Sequence, residues 1–340
     1  MKNSFNFLKS CLKVVAPIFF LLVTLVSCFG SKKEKDNEFE VSAKSITWAE
    51  RLGFPADKRI IIYHADDFGM CEEANAAIIK LFENNDIQSA ASMAPCPAYA
   101  ESIEWAKANP NYDIGIHLTL TNEWKSHNWG TVANPSDVPS LLNPEGNMWK
   151  RVEEVVANAS PEEVEIELRA QIEKTIAMGY RPSHMDTHMG TLFGSNDFTE
   201  IFFKLAEEYR IPANVIDFSD PKVVMGFKKM GYPITKRLKK MVADYSLPKL
   251  DNFSSVPKGK TYEELREKFF HQAKSLKPGL TEIIFHPQVA TEHSKTITGS
   301  WQQRAWELEL FADPVVKKFF EDEGIVLTNW KEIMERFENL

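Results

Sequence analysis

Short runs rich in β-branched residues alternate with helix-length amphipathic segments along this chain, and that alternation constrains its fold more than any other feature. "RIIIYHA" (59–65) is a continuous apolar run of the kind needed by a strand buried on both faces. The segment 71–84 follows it and gathers Ala74, Ala77, Ile78, Leu81 and Phe82 on one helical face. Further strands are predicted over 113–120, 183–188, 281–286 and 324–329, with helices over 160–179, 196–210 and 302–313. The 160–179 helix carries its own punctuation: Ser160 at the cap, Pro161 at the first position and Gly179 at the end. Such an order gives α/β architecture, a parallel sheet covered by helices, either open or closed as a barrel. In both cases function sits at the carboxyl ends of the strands. The 340 residues show no internal repeat or low-complexity break after Trp48, so one domain over 48–340 is expected.

The N-terminus stands outside this pattern. Lys2, Lys9 and Lys13 precede an apolar run, Val14 to Val26, that is short for a bilayer span and has the length of a signal-peptide core. "LVSC" (25–28) resembles a bacterial lipobox. That resemblance implies cleavage after residue 27, acylation of Cys28 and a polar tether over 28–47. The protein would then be a membrane-anchored cell-envelope lipoprotein, periplasmic or surface-facing, and an outer-membrane location is expected. An ordinary secretory signal with Cys28 incidental is the other reading. The formal charge of −8 lacks the basic balance of a nucleic-acid-binding surface. Once Cys11 leaves with the leader and Cys28 carries lipid, Cys71 and Cys96 remain, too few for a disulfide framework. They are expected to be unconnected buried thiols.

Several ionisable or metal-binding side chains fall at the predicted strand ends: Asp66 and Asp67, His117, His184 and His188, and His286. Two adjacent carboxylates directly after a buried strand repel each other and need compensation. In "SHMDTH" (183–188), His184, Asp186 and His188 are two residues apart, so a strand points them the same way. One such histidine is ordinarily a core residue satisfied by an aspartate. Two, with an aspartate between them and an aspartate pair nearby, favour a metal centre. Two neutral imidazoles with one carboxylate form the ligand set of open hydrolytic sites. A cation would offset the repulsion at 66–67, one aspartate ligating and the other remaining free as a base.

"HADDFG" (64–69), "GIHLTLT" (115–121), "HMDTH" (184–188) and "FHP" (285–287), in this order, resemble the YdjC/ChbG family of carbohydrate deacetylases over essentially all of residues 59–330. The resemblance implies a distorted (β/α) barrel that binds one divalent cation and hydrolyses acetyl groups from N-acetylated sugars. By motif position, it makes Asp67, His117 and His188 the metal ligands and Asp66 the general base. His286 becomes the group that protonates the leaving amine or stabilises the oxyanion, and His184 and Asp186 become groups that orient ligands. The family is often described with magnesium, whereas imidazole and carboxylate ligands also suit zinc. Two departures stand out. His64 replaces the asparagine common before this aspartate pair, and on a strand it shares the face of Asp66, where it can bond the base or add a ligand. "MGTLF" (189–193) follows where the family usually continues with more histidine.

Trp124 and Trp129, in the loop beyond His117, suit either a sugar-stacking rim or the core. The basic stretch 227–241 reads as a solvated helical face, with an acidic glycan or a membrane surface as the weaker option. Hydrolysis of another amide, an ester or a phosphoester, and a non-catalytic glycan-binding lipoprotein, are the rival functions. Keeping both a base and ligands argues against the last.

Overall fold

The computed structural model describes residues 46–229 and 231–340. The predicted leader, Cys28 and the tether up to residue 45 lie outside the described residues. Within them seven parallel strands form one sheet: β1 (Arg59–Phe68), β2 (Ser89–Ser92), β3 (Ile114–Leu118), β4 (Met185–Thr187), β5 (Asn252–Ser255), β6 (Gly279–Phe285) and β7 (Val326–Leu327). Their order is β4-β3-β2-β1-β6-β5. One edge of β1 pairs with β6, and the other pairs with β7 at Ile60–Ile61 and with β2 from His64 upward. Single bridges, Met185 to Ala213 and Ile216 to Leu250, carry the pairing from β4 through 212–217 to the approach to β5. The pairings thus complete a circuit, and the sheet is a distorted barrel wrapped by helices.

The period of two along β1 sorts its residues into an inside and an outside. Ile61, Tyr63 and Ala65 join the cluster with Ile78, Leu81, Phe311 and Phe320, which come from the surrounding helices. Ile60 and Ile62 instead pack with Leu250, Leu280 and Trp330, closing the bottom of the barrel. His64 and Asp66 continue that inward face upward. An apolar plug therefore lies beneath a polar layer, which the next residues turn into a site.

The helix Pro161–Ala177 starts as expected, with the Ser160 hydroxyl accepting from the Glu163 amide, and Gly179 (φ +86) follows its end. Other elements had weaker signals. "SAAS" in β2 and "NFSS" in β5 lack β-branched residues and are strands because β1, β3 and β6 offer them backbone partners. The strand expected over 324–329 shrinks to Val326–Leu327, because Asn329 caps the helix Trp330–Glu338 by accepting from the Glu332 amide. The lysines of the basic stretch 227–241 form the solvated helical face expected of an amphipathic segment. The stretch belongs to two helices, Pro221–Lys229 and Lys236–Asp244, whose lysines point outward while Val224, Phe227, Leu238 and Val242 are buried. Cys71 and Cys96 are free and buried.

Candidate active site

The upper end of β1 explains the aspartate pair. In a regular strand, consecutive side chains point to opposite faces. Here the register with β2 shifts between Ala65 and Phe68, and Asp67 takes φ +66. This bulge turns Asp67 to the same rim as Asp66. Gly69 (φ +83) completes the turn, where a Cβ would lie 3.0 Å from the Ser92 and Ser102 hydroxyls and the Tyr99 backbone.

Asp67, His117 and His188 converge from β1, β3 and the turn after β4. The Asp67 Oδ1 is 3.8 Å from His117 Nε2 and 3.6 Å from His188 Nδ1, and those two nitrogens are 3.3 Å apart. The other nitrogen of each ring is held by a carboxylate: His117 Nδ1 by Asp186 Oδ1 at 2.7 Å, His188 Nε2 by Glu123 Oε2 at 3.0 Å. That fixes which nitrogen faces Asp67, as outer partners of metal-bound histidines do. Asp67 is fully buried; its Oδ2 is taken up by an ion pair, and its Oδ1 receives no hydrogen bond. Burial would raise its pKa, but the charges of Arg304, His286, His188 and His117 outweigh that and hold it well below the usual carboxylate range. An ionised carboxylate with open lone pairs, facing two oriented imidazole nitrogens, fits a divalent cation.

His64, Asp66 and Asp186 also lie close enough together to suggest a cation. Both nitrogens of His64 are already engaged, however: Nδ1 with Asp66 Oδ1 at 2.8 Å and Nε2 with His184 Nε2 at 2.7 Å. No lone pair of this ring is left for a metal. Burial lowers the pKa of His64, but the carboxylates of Glu282, Asp66 and Asp186 push it up to about 10. Burial keeps His184 below its ordinary value. His64 is therefore an imidazolium that donates to Asp66 on one side and to neutral His184 on the other. His184 in turn stacks on Trp330 and sets Nδ1 3.0 Å from the Ser183 hydroxyl. It packs directly over Gly115, where a Cβ would come within 2.4 Å of its Nε2. His184 thus contacts the His64–Asp66 pair, whereas Asp186 holds the ring of His117.

The description "YdjC-like protein" matches residues 59–322, well over half of the chain. The chain belongs to the YdjC-like family. It is 28% identical to a carbohydrate deacetylase of Geobacillus stearothermophilus over 81% of this chain and 98% of that one. It is also 28% identical to a carbohydrate deacetylase of Brevibacillus brevis over 80% of this chain and 99% of the relative. A solved Enterococcus faecalis protein named for cellobiose-phosphate cleavage shares the fold, with a TM-score of 0.66 at 23% identity over 81% of this chain and 99% of the other.

In this YdjC-like chain His286 follows β6 and sets Nε2 3.6 Å from Asp66 Oδ2, with its amide held by Glu307 at 2.7 Å. Its side chain is one-third exposed, so it stands where solvent meets the buried cluster. Arg304, from the helix Trp301–Ala312, is buried and sets Nη1 2.7 Å from Asp67 Oδ2. Its guanidinium lies 5.5 Å from the Trp124 ring centre. Trp124 therefore braces Arg304. Trp129 is buried, gives its indole N–H to the Thr121 carbonyl and belongs to the core, so it offers no face to a sugar. Sequence reasoning missed Arg304, Glu123, Glu307 and Glu282, since each sits on a loop, helix or strand with no motif around it. A cavity of about 340 Å³ opens beside Asp66, Asp67, His188 and His286.

Proposed function

We propose that this protein is a metal-dependent hydrolase that removes acetyl groups from N-acetylated sugars at the cell envelope, tethered there by a lipid on Cys28. The observation that carries the reading is the division of labour within one bulge: Asp67 turned to His117 and His188, and Asp66 beside them, held through Oδ1 by His64 with Oδ2 left toward His286. The deacetylase names of the relatives support it. Zinc is the proposed ion, because two imidazoles and one carboxylate suit it better than magnesium. "LVSC" supports the anchor.

Asp67, His117 and His188 would hold the cation, which when bound polarises the amide carbonyl and lowers the pKa of water. Asp66 accepts the proton of the attacking water. The His64 imidazolium fixes the orientation of Asp66 by donating to Oδ1, which leaves Oδ2 toward His286 for the transferred proton. His286, at the exposed edge, passes a proton to the amine as the C–N bond breaks, giving acetate and a free amino sugar. Asp186 and Glu123 keep the ligand rings in their productive tautomers, and Arg304 keeps Asp67 ionised.

The test is acetate release from a panel of N-acetylated oligosaccharides by the purified protein, with and without a chelator. Release that stops on chelation and returns with zinc is expected. Absence of acetate from every member, or release indifferent to the chelator, would overturn the reading.

A further inference from the structure

The cavity beside the cluster does not look like a container for a sugar. One end carries the catalytic groups, but much of the wall is hydrocarbon: Ile216, Phe227, Ile234, Leu238 and Val242, with Asn214 and Ser255 among the few polar side chains away from the cluster. The helices Pro221–Lys229 and Lys236–Asp244 supply much of that wall and turn their lysines to solvent. A sugar ring buried there would leave hydroxyls without partners, which is costly. Methylene groups lose nothing and gain from burial.

The chemistry of the reacting amide decides which part of a substrate faces this wall. With the carbonyl carbon beside Asp66, the acyl tail and the amine-bearing sugar leave it in opposite directions. The polar, hydroxyl-rich half belongs at the open side near His286, and the apolar half belongs in the cavity. An acetyl group puts a single methyl there. A group of that size, roughly 30 Å³, would leave most of the apolar wall of Phe227, Ile234, Leu238 and Val242 uncovered.

We propose that the apolar part of this cavity is an acyl pocket, and that the preferred substrates are amino sugars whose nitrogen carries an acyl chain longer than acetyl. The inference rests on the deacylating reading of the site above. The reaction is unchanged in kind: water adds to the carbonyl, the C–N bond breaks, and a fatty acid and a free amine are released.

The experiment uses the zinc-loaded protein and the series N-acetyl-, N-butanoyl-, N-hexanoyl- and N-octanoylglucosamine, with the free amine measured. The expected result is a kcat/KM that rises about fourfold per added methylene as far as hexanoyl, the equivalent of ~0.8 kcal/mol per buried CH₂. A maximum at acetyl overturns the pocket while leaving the deacetylase reading intact. If no member releases amine, that reading fails, and binding of the same series to the Asp66→Asn variant by calorimetry still decides the pocket. Affinity that climbs with chain length supports it, and affinity that is flat, falling or undetectable overturns it. Leu238→Trp should lower the hexanoyl-to-acetyl ratio of kcat/KM at least tenfold, and an unchanged ratio in the folded variant counts against the proposal.

Discussion

Arg304 and His117 divide the carboxylate of Asp67: Nη1 of the arginine lies 2.7 Å from Oδ2, and Nε2 of the histidine faces Oδ1 at 3.8 Å. The arginine thereby leaves one oxygen for a cation and fixes its direction. Arg304→Met, which keeps an apolar stem but removes the guanidinium beside Asp67, should weaken zinc affinity by about 10- to 100-fold, the usual cost of losing an outer partner of a ligand. Competition with a chromophoric chelator measures this, and unchanged affinity would remove Arg304 from the site.

The two aspartates should separate cleanly by experiment. Asp67→Ala, His117→Ala and His188→Ala are each expected to lose stoichiometric metal. Asp66→Asn should keep the ion while kcat falls about 10²- to 10⁴-fold, as for a lost general base. Metal analysis beside single-substrate kinetics distinguishes these outcomes. A fully loaded His188→Ala protein would contradict the ligand assignment.

His64 predicts a pH signature. Its pKa in the folded protein is about 10, against 6.5 ordinarily. A raised pKa gives stability that is fully present below about 6.5 and is lost as pH climbs through 10. In the cation-free protein, the denaturant midpoint should therefore decline between these values. His64→Gln should flatten that decline, whatever its offset. Parallel slopes in the two proteins would mean that His64 is not the charged member of the pair.

His117 couples metal binding to protons. Burial pulls its pKa down, but the carboxylates of Asp186, Asp66 and Asp67 push it up to about 9. A cation needs the lone pair that this proton occupies, so binding at pH 7 should release about one proton from this ring, and zinc affinity should rise with pH until about 9. Calorimetric titration in buffers of different ionisation enthalpy counts the protons. A count of zero would show that His117 is already neutral.

The lipid anchor has its own test. Cys28→Ala should abolish fatty-acid labelling and release the protein from the membrane fraction. Persistent labelling would refute the lipobox reading.

Much of this site was legible because its chemistry is concentrated in short motifs at strand ends. The two-residue spacing of His184, Asp186 and His188 does bring all three to one cluster, and the spacing of His64 and Asp66 places them 2.8 Å apart. What spacing could not reveal was how Asp66 and Asp67 share one rim, since that depends on a register shift and a left-handed residue that no side-chain pattern encodes. Arg304 and Glu123 were hidden for another reason. Each reaches the cluster across the barrel mouth from an ordinary-looking helix or loop, and only the closed circuit of strands brings them near. The strands "SAAS" and "NFSS" owe their form to neighbours, so local composition said little about them.

The absence of a side chain at Gly115 is the space into which the His184 ring fits. Neither position can be altered in isolation: a methyl at 115 needs a smaller group at 184, and a smaller group at 184 deprives the imidazolium at 64 of its acceptor. Across relatives that carry histidine at 64, the residues at 115 and 184 should therefore vary as a pair.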